Sequence, residues 1–328
     1  MITRRSMAAS VAGMWPGLAM AQTPIQAPER GTVLVAPFSP GGAADIAARN
    51  FAAFAVRHMG TDPRPIVVDN RTGASGAVGT QYVARARPDG QTLLLARVGS
   101  SAILPATDPR TPYTVDDFTW LGMLDENPFV VCVRADAPWA TLSALLEAIG
   151  QAPGRLNFAT GGPATILDLG VRHMLASAGL AIDAAQAIPF RGGGDALVAL
   201  LAGQAQFVGN NLGDMIGAIQ QRQIRALVVG SQARLASIPN VPTAAQAGLA
   251  ALTELGGWNA LAGPAAMAEP VVTFWSNVIA STARDPGWLA ATRRIGSVPR
   301  SMDGAGTRAY VQAQIVLYRD LARRLNLG

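Results

Sequence analysis

Apolar residues in the first hundred positions follow two alternating rhythms. Val33-Leu34-Val35, Ile66-Val67-Val68 and Leu93-Leu94-Leu95 are short unbroken runs, the pattern of strands buried on both faces. Between them, Asp45 to Met59 and Val78 to Ala86 carry Ala, Phe and Val at helical spacing. A glycine turn precedes each helical stretch, Pro37 to Gly42 and Asn70 to Gly76. The order predicts β–loop–α–β–loop–α–β, a parallel sheet covered by helices. In such sheets ligands collect outside the carboxyl ends of strands, where both glycine turns fall.

The alternation resumes further on. Pro112 to Phe118 forms a turn, and Asn127-Pro128 precedes a strand over Phe129 to Arg134, where the chain is expected to cross into a second lobe. Helices are expected over Leu142 to Ile149, Leu167 to Ala178 and Asp195 to Ala202, with strands at Leu156 to Ala159, Ala187 to Phe190 and Ile224 to Gly230. Two more glycine loops, Thr160 to Thr165 and Arg191 to Gly194, again separate strand from helix. Trp258 to Pro264 is the expected return crossing, and helices over Pro270 to Thr282 and Tyr310 to Leu325 close the first lobe. The expected division is therefore 22–125 with 257–328 as one lobe and 126–256 as the other.

Composition narrows the class. Half of the 328 residues are hydrophobic and 14% are charged, which suits a packed core and excludes a disordered chain. Every basic residue is arginine, and the arginines are scattered without interleaved aromatics, so no nucleic-acid surface is expected. Residues 1–21 read as an export signal: Arg4-Arg5, an apolar run from Met7 to Met20, and Ala19-Met20-Ala21 as a small-x-small cleavage site. The basic pair suits either the general secretory or the twin-arginine route. No later stretch reaches the roughly 18 apolar residues of a membrane span, so the mature chain is expected to be soluble, outside the cytoplasm and without membrane insertion.

Candidate chemistry points away from catalysis. Cys132 is the single cysteine, so no intramolecular disulfide is possible, and its apolar surroundings make it a core residue. His58 and His173 are the only histidines and neither lies in a ligand cluster, so neither metal nor cofactor is expected. No nucleophile elbow, zinc-protease helix or phosphate-binding loop is present. Asp116 and Asp117 are adjacent, and adjacent side chains point apart on regular elements, so they are expected to serve a turn. The loops instead offer donors. Gly41, Gly42 and Ala43 open a helix whose N-terminal N–H groups suit an anion, and Thr72, Ser75, Thr160 and Thr165 add hydroxyls. Asp45 is expected to cap that helix.

Pro37-Phe38-Ser39-Pro40-Gly41-Gly42-Ala43-Ala44-Asp45 resembles the P-F-x-P-G-G-x-x-D signature of the Bug receptors, periplasmic solute-binding proteins of tripartite tricarboxylate transporters. The likeness continues in order at Asp69 to Gly76, Pro88 to Leu94, Pro112 to Phe118, Ile188 to Gly192, Asn210 to Leu212 and Ile238 to Thr243. It implies a two-lobed type II periplasmic binding fold, each lobe a mostly parallel sheet flanked by helices, with the ligand in the cleft between. It also implies a monomeric receptor that captures a small carboxylate by hinge closure, for a membrane transporter or a sensor. The alternative from the residues alone is an α/β enzyme acting on a small carboxylate in the same cleft. By resemblance, Phe38, Ser39, Pro40, Gly41, Gly42 and Ala43 form a carboxylate cradle. Gly73, Ala74, Ser75, Gly76, Thr160, Gly161, Thr165, Phe190, Arg191, Gly192 and Asn210 line the remainder. This chain departs from the family pattern at Phe190-Arg191-Gly192, usually Tyr-Lys-Gly, at Asn210, often Asp, and at Arg97, where a small residue is usual.

Overall fold

The computed structural model describes residues 30–163 and 165–325; the expected export signal lies outside them. Strand β1 (Thr32–Ala36) runs into helix α1 (Ala43–Ala55), followed by β2 (Ile66–Asn70), α2 (Ala77–Ala84) and β3 (Thr92–Arg97). β1 pairs in parallel with both β2 and β3, as the alternation predicts. A buried turn at Gly99–Ile103 and the short α3 (Leu104–Thr107) lead to β4 (Phe118–Arg134), a strand of 17 residues.

The second half is built the same way. It contains α4 (Leu142–Gln151), β5 (Asn157–Thr160), α5 (Ile166–Ser177), β6 (Gln186–Pro189), α6 (Gly193–Leu201), β7 (Phe207–Asn211), α7 (Leu212–Gln220) and β8 (Ile224–Val229). β5 lies parallel to β6 and β7. The chain returns through β9 (Gly256–Pro264) and ends in α8 (Glu269–Thr282), α9 (Pro286–Arg294), β10 (Val298–Asp303) and α10 (Gly304–Arg324).

The strand order is β2-β1-β3-β9-β4-β7-β5-β6, with β8 and β10 also on β4. The outer ladders are parallel, while β9 is antiparallel to β3 and β4, and β4 is antiparallel to β7, β8 and β10. The sheets are therefore mixed, with antiparallel pairing concentrated on the two crossing strands. β4 also begins earlier than the apolar run at Phe129 suggests, because Phe118 to Pro128 pairs with β9.

Alternation along β3 explains the layering. Leu93 and Leu95 pack with Phe51, Trp275 and Trp288 beneath α1, α8 and α9. Leu94 and Ala96 point the other way, into a core that continues through Trp258, Phe129, Phe158 and Phe207. Cys132 is fully buried in that core, and burial pushes its thiol up from the ordinary range, consistent with a packing role. Among the described residues no helix is long and apolar enough to cross a membrane.

Candidate functional site

A cavity of about 860 Å³ lies at the carboxyl ends of β1, β3 and β7, between the two halves. The N-terminal turns of α1, α5, α6 and α7 all contribute to its wall: Gly42 and Ala43, Thr165 and Ile166, Gly192 and Gly193, and Asn211 and Gly213. Each such terminus carries partial positive charge from its helix dipole, which favours an anion.

The first glycine turn supplies the floor. Gly41 adopts φ +77°, which an L side chain rarely takes. The turn's N–H groups already have protein partners. Gly41 donates to Asp45 Oδ2 at 3.0 Å, Gly42 donates to the Ser39 carbonyl at 3.4 Å, and Ala43 donates to Asp214 Oδ1 at 2.7 Å. Burial pushes the Asp45 carboxyl up. Hydrogen bonds from Arg49, the Gly41 N–H and Asn70 outweigh it and hold the group below its ordinary value. Asp45 thus closes the α1 terminus by reaching back to Gly41, while the residue at the cap position itself, Gly42, has no side chain to offer.

The second glycine loop forms a side wall. Gly73, Ala74, Ser75 and Gly76 all have positive φ, at +127°, +46°, +54° and +93°. Two non-glycine residues in succession there mark a backbone held by its surroundings. One reason is the close approach of Phe38, whose ring would lie 3.0 Å from a Cβ at Gly76. Ser75 Oγ donates across the cleft to the Pro163 carbonyl at 3.2 Å.

The second half contributes fewer free polar groups than its hydroxyls suggest. Thr160 Oγ1 accepts the Gly162 N–H at 3.2 Å, and Thr165 Oγ1 donates to the Gly162 carbonyl at 2.7 Å. Arg191 stands at the mouth with its side chain 90% exposed, 4.0 Å from Asp195. Asn210 lies under the start of α6, where Nδ2 donates to the Gly193 carbonyl at 3.1 Å and Oδ1 accepts the Asn211 N–H at 2.8 Å. Every residue expected at the site borders the cavity except Thr160 and Asn210, whose polar atoms are engaged inside the second half.

Among the bordering residues that were not expected, Arg97 and Asp214 bear most on the chemistry. Arg97, at the end of β3, is 4% exposed, and its Nη1 donates to Asn259 Oδ1 at 3.0 Å. Asn259 Nδ2 in turn donates to Asp125 Oδ1 at 2.7 Å. Burial pushes the Asp125 carboxyl up to about 6, against hydrogen bonds from Asn259 and the charge of Arg97. Asp214, in the first turn of α7, is partly open to the cavity and accepts from Ala43 of the other half. Burial raises its carboxyl above the ordinary range, against the opposing pull of Arg97 and the Ala43 N–H. A Cβ at Gly193 would collide with the Asp214 carboxylate, which would have to move to admit it.

Asp116 and Asp117 sit away from the cavity. Asp117 caps Thr114 and Asp116 pairs with Arg308. Among the described residues no three His, Cys, Asp or Glu side chains gather as metal ligands.

Comparison with known proteins gives a consistent picture. The model of TctC, the tripartite tricarboxylate transporter family receptor, matches residues 48–327. The periplasmic binding protein BugD is 25% identical, with a TM-score of 0.85 over 92% of this chain and 99% of its own. MatC (Rpa3494) from Rhodopseudomonas palustris, solved with bound malate, is 26% identical, with a TM-score of 0.82 over 90% of this chain and 99% of its own. Rpa4515 from R. palustris, solved with adipate, is 25% identical, with a TM-score of 0.85 over 91% of this chain and 98% of its own.

Proposed function

This chain belongs to the tripartite tricarboxylate transporter receptor family, and from that premise we propose that it is an exported receptor that captures a small carboxylate in the cavity between its halves. The family is one of binding receptors and not of enzymes. The observation that carries the proposal is the convergence of four helix N-termini on one cavity. Malate and adipate in two relatives of the same fold support a carboxylate in particular.

In this reading the periplasmic chain is a monomer that closes about a hinge where β4 and β9 cross. The lobes divide at 125/126 and 256/257. Closure needs only that the ligand bind the closed state better than the open one, so no catalytic group is required. The turn Phe38 to Ala43, the wall Gly73 to Gly76, Gly161 with Thr165, and Phe190 to Gly192 enclose the ligand. The closed receptor presents it to a membrane transporter or to a sensor subunit.

A thermal-shift screen of the purified mature chain against small carboxylates tests this. A ligand at about a hundred times its dissociation constant stabilises the native state by about 2.7 kcal/mol, which raises the melting temperature by several degrees. At least one carboxylate is expected to do so. If none does, and crystals grown with and without carboxylates show the same cleft, the receptor reading fails.

A further inference from the structure

The geometry points to Arg97, rather than the glycine turn, as the group that takes the ligand's carboxylate. This rests on the carboxylate-receptor reading and sharpens it, because it moves the anion seat to a buried cation on the cavity wall.

The glycine turn has little left to offer. The N–H groups of Gly41, Gly42 and Ala43 are taken by Asp45, by the Ser39 carbonyl and by Asp214. Asp214 and Asp45 already occupy the positive pole of the α1 terminus, Asp45 being paired with Arg49 at 2.9 Å, so little of the dipole is left for an incoming anion.

Arg97 is in the converse position. It is buried, it borders the cavity, and among the described residues no carboxylate lies within 4.0 Å of its guanidinium. Its one side-chain hydrogen bond runs from Nη1 to Asn259, which Asp125 holds from behind. That relay fixes the guanidinium in one direction and, among the described residues, leaves the rest of its planar fork of N–H donors unmet by side chains. Burial pulls the Arg97 guanidinium down from its ordinary value, against the charges of Asp214 and Asp125, neither of which contacts it. An arginine keeps its proton through such shifts, so it is a cation out of water without a contacting counter-ion. Such a group is costly unless something pairs with it. A carboxylate entering the cavity supplies the missing partner in the geometry the fork prefers, two parallel N–H···O bonds.

Arg97→Gln keeps a planar polar end for Asn259 and removes the charge and the fork. Arg97→Lys keeps the charge alone. Titration calorimetry with whichever of acetate, succinate, malate or adipate shifts the wild-type melting temperature reads the effect. Loss of at least about tenfold in affinity is expected for Arg97→Gln, with a smaller loss for Arg97→Lys. A folded Arg97→Gln protein that binds within twofold of wild type overturns the assignment and leaves the receptor reading intact. Should Arg97→Gln not fold, Arg97→Lys at wild-type affinity overturns the forked contact.

A bromide soak of wild-type crystals, read by anomalous scattering, needs no known ligand. A peak against the Arg97 guanidinium supports the assignment. A peak at Gly42–Ala43 with none at Arg97 overturns it. If no carboxylate affects the wild-type protein, the receptor reading falls by itself and the bromide position alone decides on Arg97.

Discussion

Arg97 and Asp214 put opposite charges on the cavity wall without touching, and both are tied to partners far away in sequence. Arg97 stood out in the sequence as a large cation where a small residue is usual. Asp214 did not, because no local spacing announces that the first turn of α7 meets the first turn of α1, 171 residues earlier. Thr160 and Thr165 show a second thing a sequence hides, although Thr165 does border the cavity. Their hydroxyls suggested ligand contacts, yet a tight loop consumes them in its own hydrogen bonds. The relay behind Arg97 has a pH signature. The Asp125 carboxyl titrates at about 6 in the folded chain and at about 3.9 when unfolded. The native state therefore holds a proton that the unfolded chain has released, and its stability falls as pH rises from about 4 to about 6. Asp125→Asn cannot ionise. In urea unfolding, the stability of wild type relative to Asp125→Asn should decline across that window and level off above it; a difference that stays flat contradicts the relay.

At the scale of elements, the outer parallel ladders were legible because short apolar runs, glycine turns and helical periodicity alternate without interruption. The crossings were only half legible. β9 pairs antiparallel with the Phe118–Pro128 part of β4, and a single sequence shows the apolar part of such a strand but not its partner. Helix α9 was missed because its apolar stripe is thin. Its start is set by Asp285, whose carboxylate accepts the Gly287 and Trp288 N–H groups, and by Pro286 at the first helical position. Strand β10 was missed because it is largely exposed and contains Pro299. Packing between elements is tight where glycine permits it. The Phe129 ring of β4 lies against Gly170 of α5 and Gly209 of β7, and a Cβ at Gly170 would come within 2.5 Å of Phe129 Cε2. Gly170→Ala should cost about 1–3 kcal/mol by overpacking. Adding Phe129→Leu should recover part of that loss in a double-mutant cycle of chemical denaturation, and strictly additive losses would show that the ring is not the obstacle.

For the whole molecule, two halves built on one plan share β4, which pairs with strands of both, and face each other across helix N-termini. The Ala43–Asp214 and Ser75–Pro163 hydrogen bonds join the facing walls. The cavity they enclose contains little that could perform a reaction and much that could hold an anion. This was readable in outline from four glycine loops at strand ends and from the ordered family likeness. The charges that tune the cavity emerged only once the chain was folded. The central claim is that this cavity recognises an ionised carboxylate and not merely a small polar molecule. Isothermal titration of the mature chain with a responsive carboxylate and with its uncharged amide tests it most directly. One site per chain for the acid, with binding to the amide at least about a hundredfold weaker, is the predicted result. Equal binding of acid and amide, or no heat from any carboxylate, would contradict it.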